Sequence, residues 1–179
     1  MKIIQGIYKG RNFICAKNTR PALNIVRKAC FDILSKEVAG SSVLDLFAGS
    51  GSLGLEAISC GAKEAVFVEG DNECIENIKK TAGIFKIEQQ TKVYLKDGIK
   101  AIKDFFEHKK CFDLIFIDPP YCKGMLKKTL QALEEYDILT PFGYLVCLGY
   151  FKGDCPENSK FSLILKRKYG QTLLLIYRK

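Results

Sequence analysis

Short apolar runs alternate with amphipathic stretches along most of this 179-residue chain. The runs are rich in β-branched and aromatic residues, as strands are, and the stretches between them space apolar residues three and four apart, as helices do. This alternation predicts an α/β fold built on a parallel sheet, with ligands at the carboxyl ends of the strands. The predicted strands lie around Val43 and at 65–68, 92–95, 112–117 and 144–150, and the predicted helices lie at 53–60, 71–86, 98–107 and 124–136.

The amino-terminal segment follows a different pattern. Residues 2–17 predict a hairpin whose tip is the basic turn Lys9-Gly10-Arg11. Thr19-Arg20-Pro21 opens a predicted helix, which packs its apolar stripe on the body and presents Arg20 and Arg27 to solvent.

The carboxyl-terminal segment predicts a second hairpin, with arms at 161–166 and 171–177 about Tyr169-Gly170. It would add antiparallel strands at one edge of the sheet. The length suits one core, so we expect a single domain, 1–179, in which a hairpin-helix extension (1–37) joins a catalytic body (38–179).

The net charge of +8 is concentrated at the two ends of the chain. Residues 1–37 carry eight Lys or Arg against two acids, residues 152–179 carry seven against two, and the middle carries thirteen against sixteen. Basic ends on a nearly neutral body favour a polyanionic partner such as nucleic acid, although lysines also serve solubility.

Other bulk properties narrow the class of protein. The eight cysteines form no Cys-x-x-Cys pair and His108 is the single histidine, so we expect reduced thiols and no metal. No apolar run is long enough for a signal peptide or a membrane span, so we expect a cytoplasmic protein with no membrane partner.

The glycine-rich turn after the first predicted strand is a candidate ligand site. Gly49-x-Gly51-x-x-Gly54 matches a dinucleotide-binding pattern, and Glu69 follows Gly49 by 20 positions (69 − 49), as a ribose-binding acid does. Asp45 changes the choice of ligand, because a carboxylate at the strand end repels a pyrophosphate and attracts the ammonium of a methionine group. S-adenosylmethionine therefore fits better than NAD, and Ser52 is expected to cap the following helix.

A second candidate site is Asp118-Pro119-Pro120-Tyr121, directly after a continuous apolar run. The prolines restrict the backbone, so the Asp118 carboxylate and the Pro119 carbonyl can be fixed acceptors for an exocyclic amine. Tyr121 can stack on the base that carries this amine. The pattern favours direct methyl transfer to an amino group of an unstacked base, with no covalent enzyme intermediate and no role for Cys122.

Both motifs resemble those of methyltransferases that modify amino groups of nucleic-acid bases. Nearly the whole chain resembles the bacterial family that methylates N2 of guanine 966 in 16S ribosomal RNA. Besides the two motifs, the resemblance rests on Gly10-Arg11, Arg20-Pro21, Val26-Arg27 and Tyr169-Gly170-Gln171. The resemblance implies a Rossmann-like class I methyltransferase. Its sheet would be doubly wound, mainly parallel and seven-stranded, with an antiparallel edge strand.

The resemblance also implies roles for the candidate residues. Asp45 and Gly49 would border the methionine part of S-adenosylmethionine, with Phe47 and Gly51 beside them, while Glu69 would bind the ribose and Asp97 the adenine. The residues implied in catalysis are Asp118, Pro119 and Tyr121, and those implied in RNA binding are Arg11, Arg20 and Arg27. The implied partner is 16S rRNA or a small ribosomal subunit particle, bound by a monomer.

Three other functions stay open. An N6-adenine DNA methyltransferase would share the Asp118 motif, although the short chain leaves little room for a separate recognition domain. An NAD-dependent oxidoreductase would share the glycine pattern, but His108 lies in a charged stretch and no other proton-transfer group is evident. A non-catalytic RNA-binding module would need only the basic ends.

Overall fold

The computed structural model describes residues 1–15, 24–120, 124–150 and 160–179. The predicted strands at 65–68, 92–95 and 112–117 and the predicted helices at 53–60, 71–86, 98–107 and 124–136 are each confirmed to within one residue at both ends. The helices are α1 Asn24–Ile33, α2 Ser35–Val38, α3 Ser52–Ser59, α4 Asn72–Phe85, α5 Gly98–Glu107 and α6 Met125–Glu135, with a 3₁₀ turn at Glu88–Gln90. The strands are β1 Ser42–Asp45, β2 Glu64–Glu69, β3 Thr91–Leu95, β4 Phe112–Ile117, β5 Leu139–Tyr150, β6 Ser162–Tyr169 and β7 Thr172–Arg178.

The strands form one sheet in the order β3-β2-β1-β4-β5-β7-β6. Strands β1 to β5 pair in parallel with one another, and β7 runs antiparallel to its two neighbours, β5 and β6. The tail is therefore the predicted antiparallel hairpin at one edge of a mainly parallel sheet. The predicted fold class is confirmed.

Successive residues along the strands supply two cores, because side chains alternate between the faces of a sheet. Val43 and Leu114 lie in the first core with α1, α3 and α4. Leu44 and Ile115 lie in the second core with α5 and α6. Burial on both faces explains the continuous apolar run from Leu114 to Ile117 in β4, as expected for a central parallel strand.

The amino-terminal segment packs on the first face, where Ile3 and Phe13 are buried in the same core as α1 and α3. The predicted hairpin is reduced to its base, since one β-bridge joins Lys2 to Asn12. The arms do not extend as strands because the amides of Ile4 and Gln5 donate to the carboxylate of Glu56 instead of to an opposite arm. The division into an extension and a body at residue 37 stays a prediction.

Arg27 is fully buried, so its predicted place on the solvent face of the helix was wrong. Its Nε lies 3.2 Å from Glu56 Oε2, and its Nη2 donates to the carbonyl of Lys2 at 2.7 Å. The guanidinium also lies 5.8 Å from the centre of the Phe13 ring. The error arose because the partner acid is 29 residues further along the chain (56 − 27), where the periodicity of α1 cannot reveal it.

Strand β5 begins five residues before its predicted start (144 − 139). The predicted turn Pro141-Phe142-Gly143 is an irregularity inside this strand. Between the pairs Phe112–Leu139 and Leu114–Tyr144, β5 advances by five residues while β4 advances by two. Phe142 takes a left-handed φ of 64°, which helps the three extra residues fit without ending the pairing.

Candidate active site at the carboxyl edge of the sheet

The four predicted strand-end acids lie along one edge of the sheet. Because β3, β2, β1 and β4 are neighbours and run in parallel, their carboxyl ends present Asp97, Glu69, Asp45 and Asp118 in that spatial order. Asp45 is close enough to Glu69 and Asp118 for both charges to affect its pKa. The structure thus brings the predicted cofactor-binding and catalytic acids together.

The turn after β1 requires glycine at two positions. Gly51 has a left-handed φ of 72°, and a Cβ atom there would lie 2.9 Å from Ile78 Cγ1. A Cβ atom on Gly54 would lie 2.3 Å from the Phe67 ring, so this glycine lets α3 pack closely on β2. The glycine pattern therefore has a steric basis: it holds a tight turn against the carboxyl edge.

Asp45 is buried at the centre of this edge, and its two oxygens differ. Its Oδ2 accepts a hydrogen bond from the Gly54 amide at 2.9 Å, whereas its Oδ1 is buried with no hydrogen-bond partner among the residues that the structure describes. Burial raises the pKa of Asp45 to about 8, and the charges of Asp118 and Glu69 act in the same direction. A cation is the ligand that would balance this carboxylate.

Ser52 does not cap α3, contrary to the sequence prediction. The helix begins at Ser52 itself, the preceding residue is Gly51, and no side-chain hydrogen bond caps this end. The Gly54 amide, one of the free donors of the first turn, is bound by Asp45 instead. Asp45 thus also has a structural role, since it binds the first turn of α3.

Glu69 braces the same turn from β2. Its Oε2 accepts from the Gly49 amide at 2.7 Å, and its Oε1 accepts from the amides of Gly70 and Asp71 at 2.7 and 3.0 Å. These bonds fix the orientation of the carboxylate. Each oxygen of a carboxylate can accept more than one hydrogen bond, so Glu69 keeps capacity for a ligand hydroxyl.

Phe47 and Asp97 line the part of the edge beside α5. The Phe47 ring is half-buried against Gly98, where a Cβ atom would lie 2.8 Å from the ring. Asp97 is exposed and caps α5 by accepting from the Lys100 amide at 3.0 Å. Both side chains are held in place, and Asp97 remains accessible.

The Asp118 motif continues from β4 next to Asp45. Asp118 is half-buried, Pro119 is buried and Pro120 is exposed, while Tyr121 lies outside the described residues. Burial, and then the charge of Asp118, raises the pKa of the Cys30 thiol to about 12. Helix α1 therefore approaches Asp118 from the first face of the sheet, and Cys30 stays protonated there.

The predicted RNA-binding arginines do not gather at this edge. Arg11 is exposed, but its guanidinium stacks 4.4 Å from the centre of the Phe85 ring and its Nη2 donates to the carbonyl of Ile84. Phe85 is the last residue of α4. This helix starts near Glu69, at the carboxyl ends of the strands, and runs about 20 Å toward their amino ends. Arg27 is buried, and Arg20 lies outside the described residues.

The acid that sequence reasoning missed is Glu56, which ties the amino-terminal segment to α3. It is fully buried and accepts from the amides of Ile4 and Gln5 as well as facing Arg27. Burial raises its pKa, and the opposing effect of Arg27 is smaller. One signal was available, since Glu56 is the single charged residue within the otherwise buried helix α3.

In the described ranges, no group of three or more His, Cys, Asp or Glu residues is arranged to hold a metal ion. The six cysteines of this part of the chain form no disulfide. None of the described helices is long and apolar enough to cross a membrane.

Comparison with known proteins gives relatives over the whole chain. The family profile described as Conserved hypothetical protein 95 matches residues 1–178. YlbH of Bacillus subtilis (strain 168), provisionally named as an rRNA methyltransferase, is 33% identical over 183 residues, covering 100% of this chain and 99% of that protein. Ribosomal RNA small subunit methyltransferase D of Escherichia coli (strain K12) is 26% identical over 182 residues, covering 100% and 90%.

A solved structure is also similar over the whole length of this chain. The structure of yhhF from Escherichia coli, provisionally named as a methyltransferase, matches with a TM-score of 0.88 and 27% identity, covering 100% of this chain and 97% of that one.

Proposed function

This chain belongs to the family described as Conserved hypothetical protein 95, and from that premise we propose that it is an S-adenosylmethionine-dependent methyltransferase acting on the N2 amino group of a guanine in 16S rRNA. One observation carries the proposal. Among the described residues, Asp45 is a buried carboxylate to which no cationic side chain is bonded, and it lies beside the half-buried Asp118 at the same edge of the sheet. The names of the two relatives above support an rRNA substrate.

The cofactor end of the site fits S-adenosylmethionine on chemical grounds. Asp45 Oδ1 is a buried acceptor without a partner, and its raised pKa marks a position where positive charge is favoured. Asp45 and the turn at Gly49 would hold the methionine part, Glu69 the ribose and Asp97 the adenine, with Phe47 beside Gly98. When bound, the cofactor supplies a methyl group on a positively charged sulfur.

The same charges oppose a pyrophosphate. Asp45 and Glu69 place two carboxylates at adjacent strand ends, and among the described residues their hydrogen bonds come from backbone amides. A dinucleotide would bring two negative charges to this edge. The arrangement therefore supports S-adenosylmethionine over NAD.

The substrate end of the site suits an amine. Asp118 can accept one hydrogen of the guanine amino group, and the Pro119 carbonyl can accept the other, which would direct the nitrogen lone pair toward the methyl group. Pro119 is buried, so its backbone is held by packing as well as by its ring. The Asp118 carboxylate can also hold the proton that the amine loses, and Tyr121 would stack on the unstacked base.

The direct test is transfer of labelled methyl from S-adenosylmethionine to small-subunit particles that lack the modification, followed by digestion and nucleoside analysis. We expect N2-methylguanosine at one site. Label in N6-methyladenosine would replace guanine N2 by adenine N6 as the target. No transfer to free 16S rRNA or to particles, despite binding of S-adenosylhomocysteine, would withdraw the ribosomal substrate.

A further inference from the structure

Helix α6 carries its charges in the order that opposes its dipole. Lys127 and Lys128 are exposed in its first turn, which contains no acid, and Glu134 and Glu135 lie in its last turn, which contains no base. A helix is stabilised by anions at its amino terminus and cations at its carboxyl terminus. The lysines of α6 therefore do not serve helix stability, and they add to the positive potential that its first turn already presents.

The first turn of α6 lies over the carboxyl end of β5. A Cβ atom on Gly149 would lie 3.3 Å from Leu126 Cδ2, so Leu126 packs directly on this glycine. Asp118 and α6 are separated by only six residues of sequence (125 − 118 = 7 positions). The two lysines are thus held near the end of β4, where Asp118 lies.

The register of the sheet brings a further lysine to the same face. Gly149 pairs with Leu173 in β7, and Leu173 pairs with Lys168 in β6. Two residues before Gly149 in β5, Cys147 pairs with Leu175 of β7, which pairs with Lys166 of β6. Directly opposed residues of antiparallel strands point to the same face. Lys166 and Lys168 therefore share the face on which α6 packs, and Lys166 is exposed.

The same register relates Lys166 to the substrate end of the site. Ile117 of β4 pairs with Cys147, so the row Ile117, Cys147, Leu175 and Lys166 crosses four strands just below Asp118. With neighbouring strands about 4.8 Å apart, Lys166 lies about 14 Å from the end of β4 along the row. A short stretch of single-stranded nucleic acid can span this distance.

We propose that Lys127, Lys128 and Lys166 form a phosphate-binding rim that holds the RNA backbone beside the target base. This inference rests on the proposed function and names the surface that positions its substrate. Lysine on an edge strand also discourages edge-to-edge pairing of sheets, which would account for Lys166 alone. It does not account for the two lysines of α6, which lie on the helix that packs on the same face.

The test compares two triple variants. Lys127→Gln, Lys128→Gln and Lys166→Gln together remove the rim charge. Lys36→Gln, Lys63→Gln and Lys109→Gln remove the same charge from exposed positions in α2 and just before β2 and β4, at the opposite edge of the sheet. Binding to a fluorescent 16S rRNA transcript is measured over a range of salt concentrations, and S-adenosylhomocysteine thermal shifts check that each variant retains its fold and cofactor site.

We expect the rim variant to lose tenfold or more in RNA affinity, with its salt slope reduced by about two, because each lost phosphate contact removes roughly 0.7 to 0.9 from the slope. The control variant should stay within about twofold of the wild type. If the two variants bound the RNA with equal affinity while the wild type was active, the phosphate-binding role of the rim would be contradicted. If the wild type neither bound nor methylated this RNA, the proposed function would be contradicted, and the proposed role of the rim would be contradicted as well.

Discussion

Asp45 and Glu56 are buried acids eleven residues apart (56 − 45), and they are satisfied in different ways. Glu56 faces Arg27 and accepts from the amides of Ile4 and Gln5. Asp45 accepts one amide, its other oxygen has no hydrogen-bond partner, and the charges that act on it are those of acids. An acid whose charge is balanced within the chain is structural, whereas an acid left unbalanced is a candidate for binding a cation.

The largest expected effect comes from breaking the balanced pair. Arg27→Met leaves Glu56 buried without its cation, and removal of one member of a buried pair costs about 3–5 kcal/mol. Urea unfolding should show this loss in the free energy of unfolding. Arg11→Met serves as the control, because Arg11 is exposed. A variant as stable as the wild type would mean that the pair does not anchor the amino-terminal segment.

The next effect concerns the substrate end of the site. Asp118→Ala removes a proposed amine acceptor, and loss of one such fixed electrostatic group slows catalysis by about 10²–10³-fold. Single-turnover methyl transfer should fall by this factor, while S-adenosylhomocysteine affinity stays near that of the wild type. Retained turnover with lost cofactor binding would assign Asp118 to the cofactor instead.

The pKa of Asp45 predicts a pH dependence of ligand binding. With a pKa of about 8, this carboxyl is protonated at pH 6 in the free protein, and an ammonium beside it favours the ionised form. Affinity for S-adenosylhomocysteine should therefore rise with pH, by up to about tenfold per unit below pH 8, and then level off. Calorimetry at several pH values measures this, and Asp45→Asn should abolish it. A flat profile in the wild type would remove Asp45 from the ammonium site.

The smallest effect is expected at Arg11. Its guanidinium stacks on Phe85 at the edge of the sheet opposite to Asp118. Arg11→Met should cost about 1 kcal/mol or less in stability, and it should reduce the salt slope of RNA binding by less than one. A loss of RNA affinity as large as that of the lysine rim variant would show that RNA extends along α4 to this arginine.

Local patterns predicted most of the fold and the position of the acids. Strand ends could be predicted because β2 and β4 are apolar runs closed by Glu69 and Asp118, and parallel pairing then brings these acids to one edge. The interactions of Arg27 could not be predicted in this way. Its burial depends on Glu56 and Lys2, which come from separate elements, and the periodicity of one helix contains no information about them.

The sequence indicated a ligand role for Asp45 and gave no role to Glu56, although apolar residues precede and follow both acids. In the described part of the chain, the two acids differ in the backbone amides that reach them. Ile4 and Gln5 donate to Glu56 from a segment some fifty residues away, and Gly54 alone donates to Asp45. Such contacts depend on tertiary packing, so they become visible only in the folded chain.

The most direct measurement compares Asp45→Asn with Glu56→Gln in two assays, calorimetric binding of S-adenosylhomocysteine and urea unfolding at pH 8. Asparagine can still accept a hydrogen bond from the Gly54 amide. Because the pKa of Asp45 is raised to about 8 in the folded state, its ionisation destabilises the fold, and stability is lost as pH rises from the unfolded pKa through about 8. Asp45→Asn should therefore lose about 1.5–3 kcal/mol of binding without loss of stability. Glu56→Gln should lose stability and keep ligand affinity. The opposite pattern, or equal effects of the two variants in both assays, would contradict the assignment of Asp45 to the ligand and Glu56 to the fold.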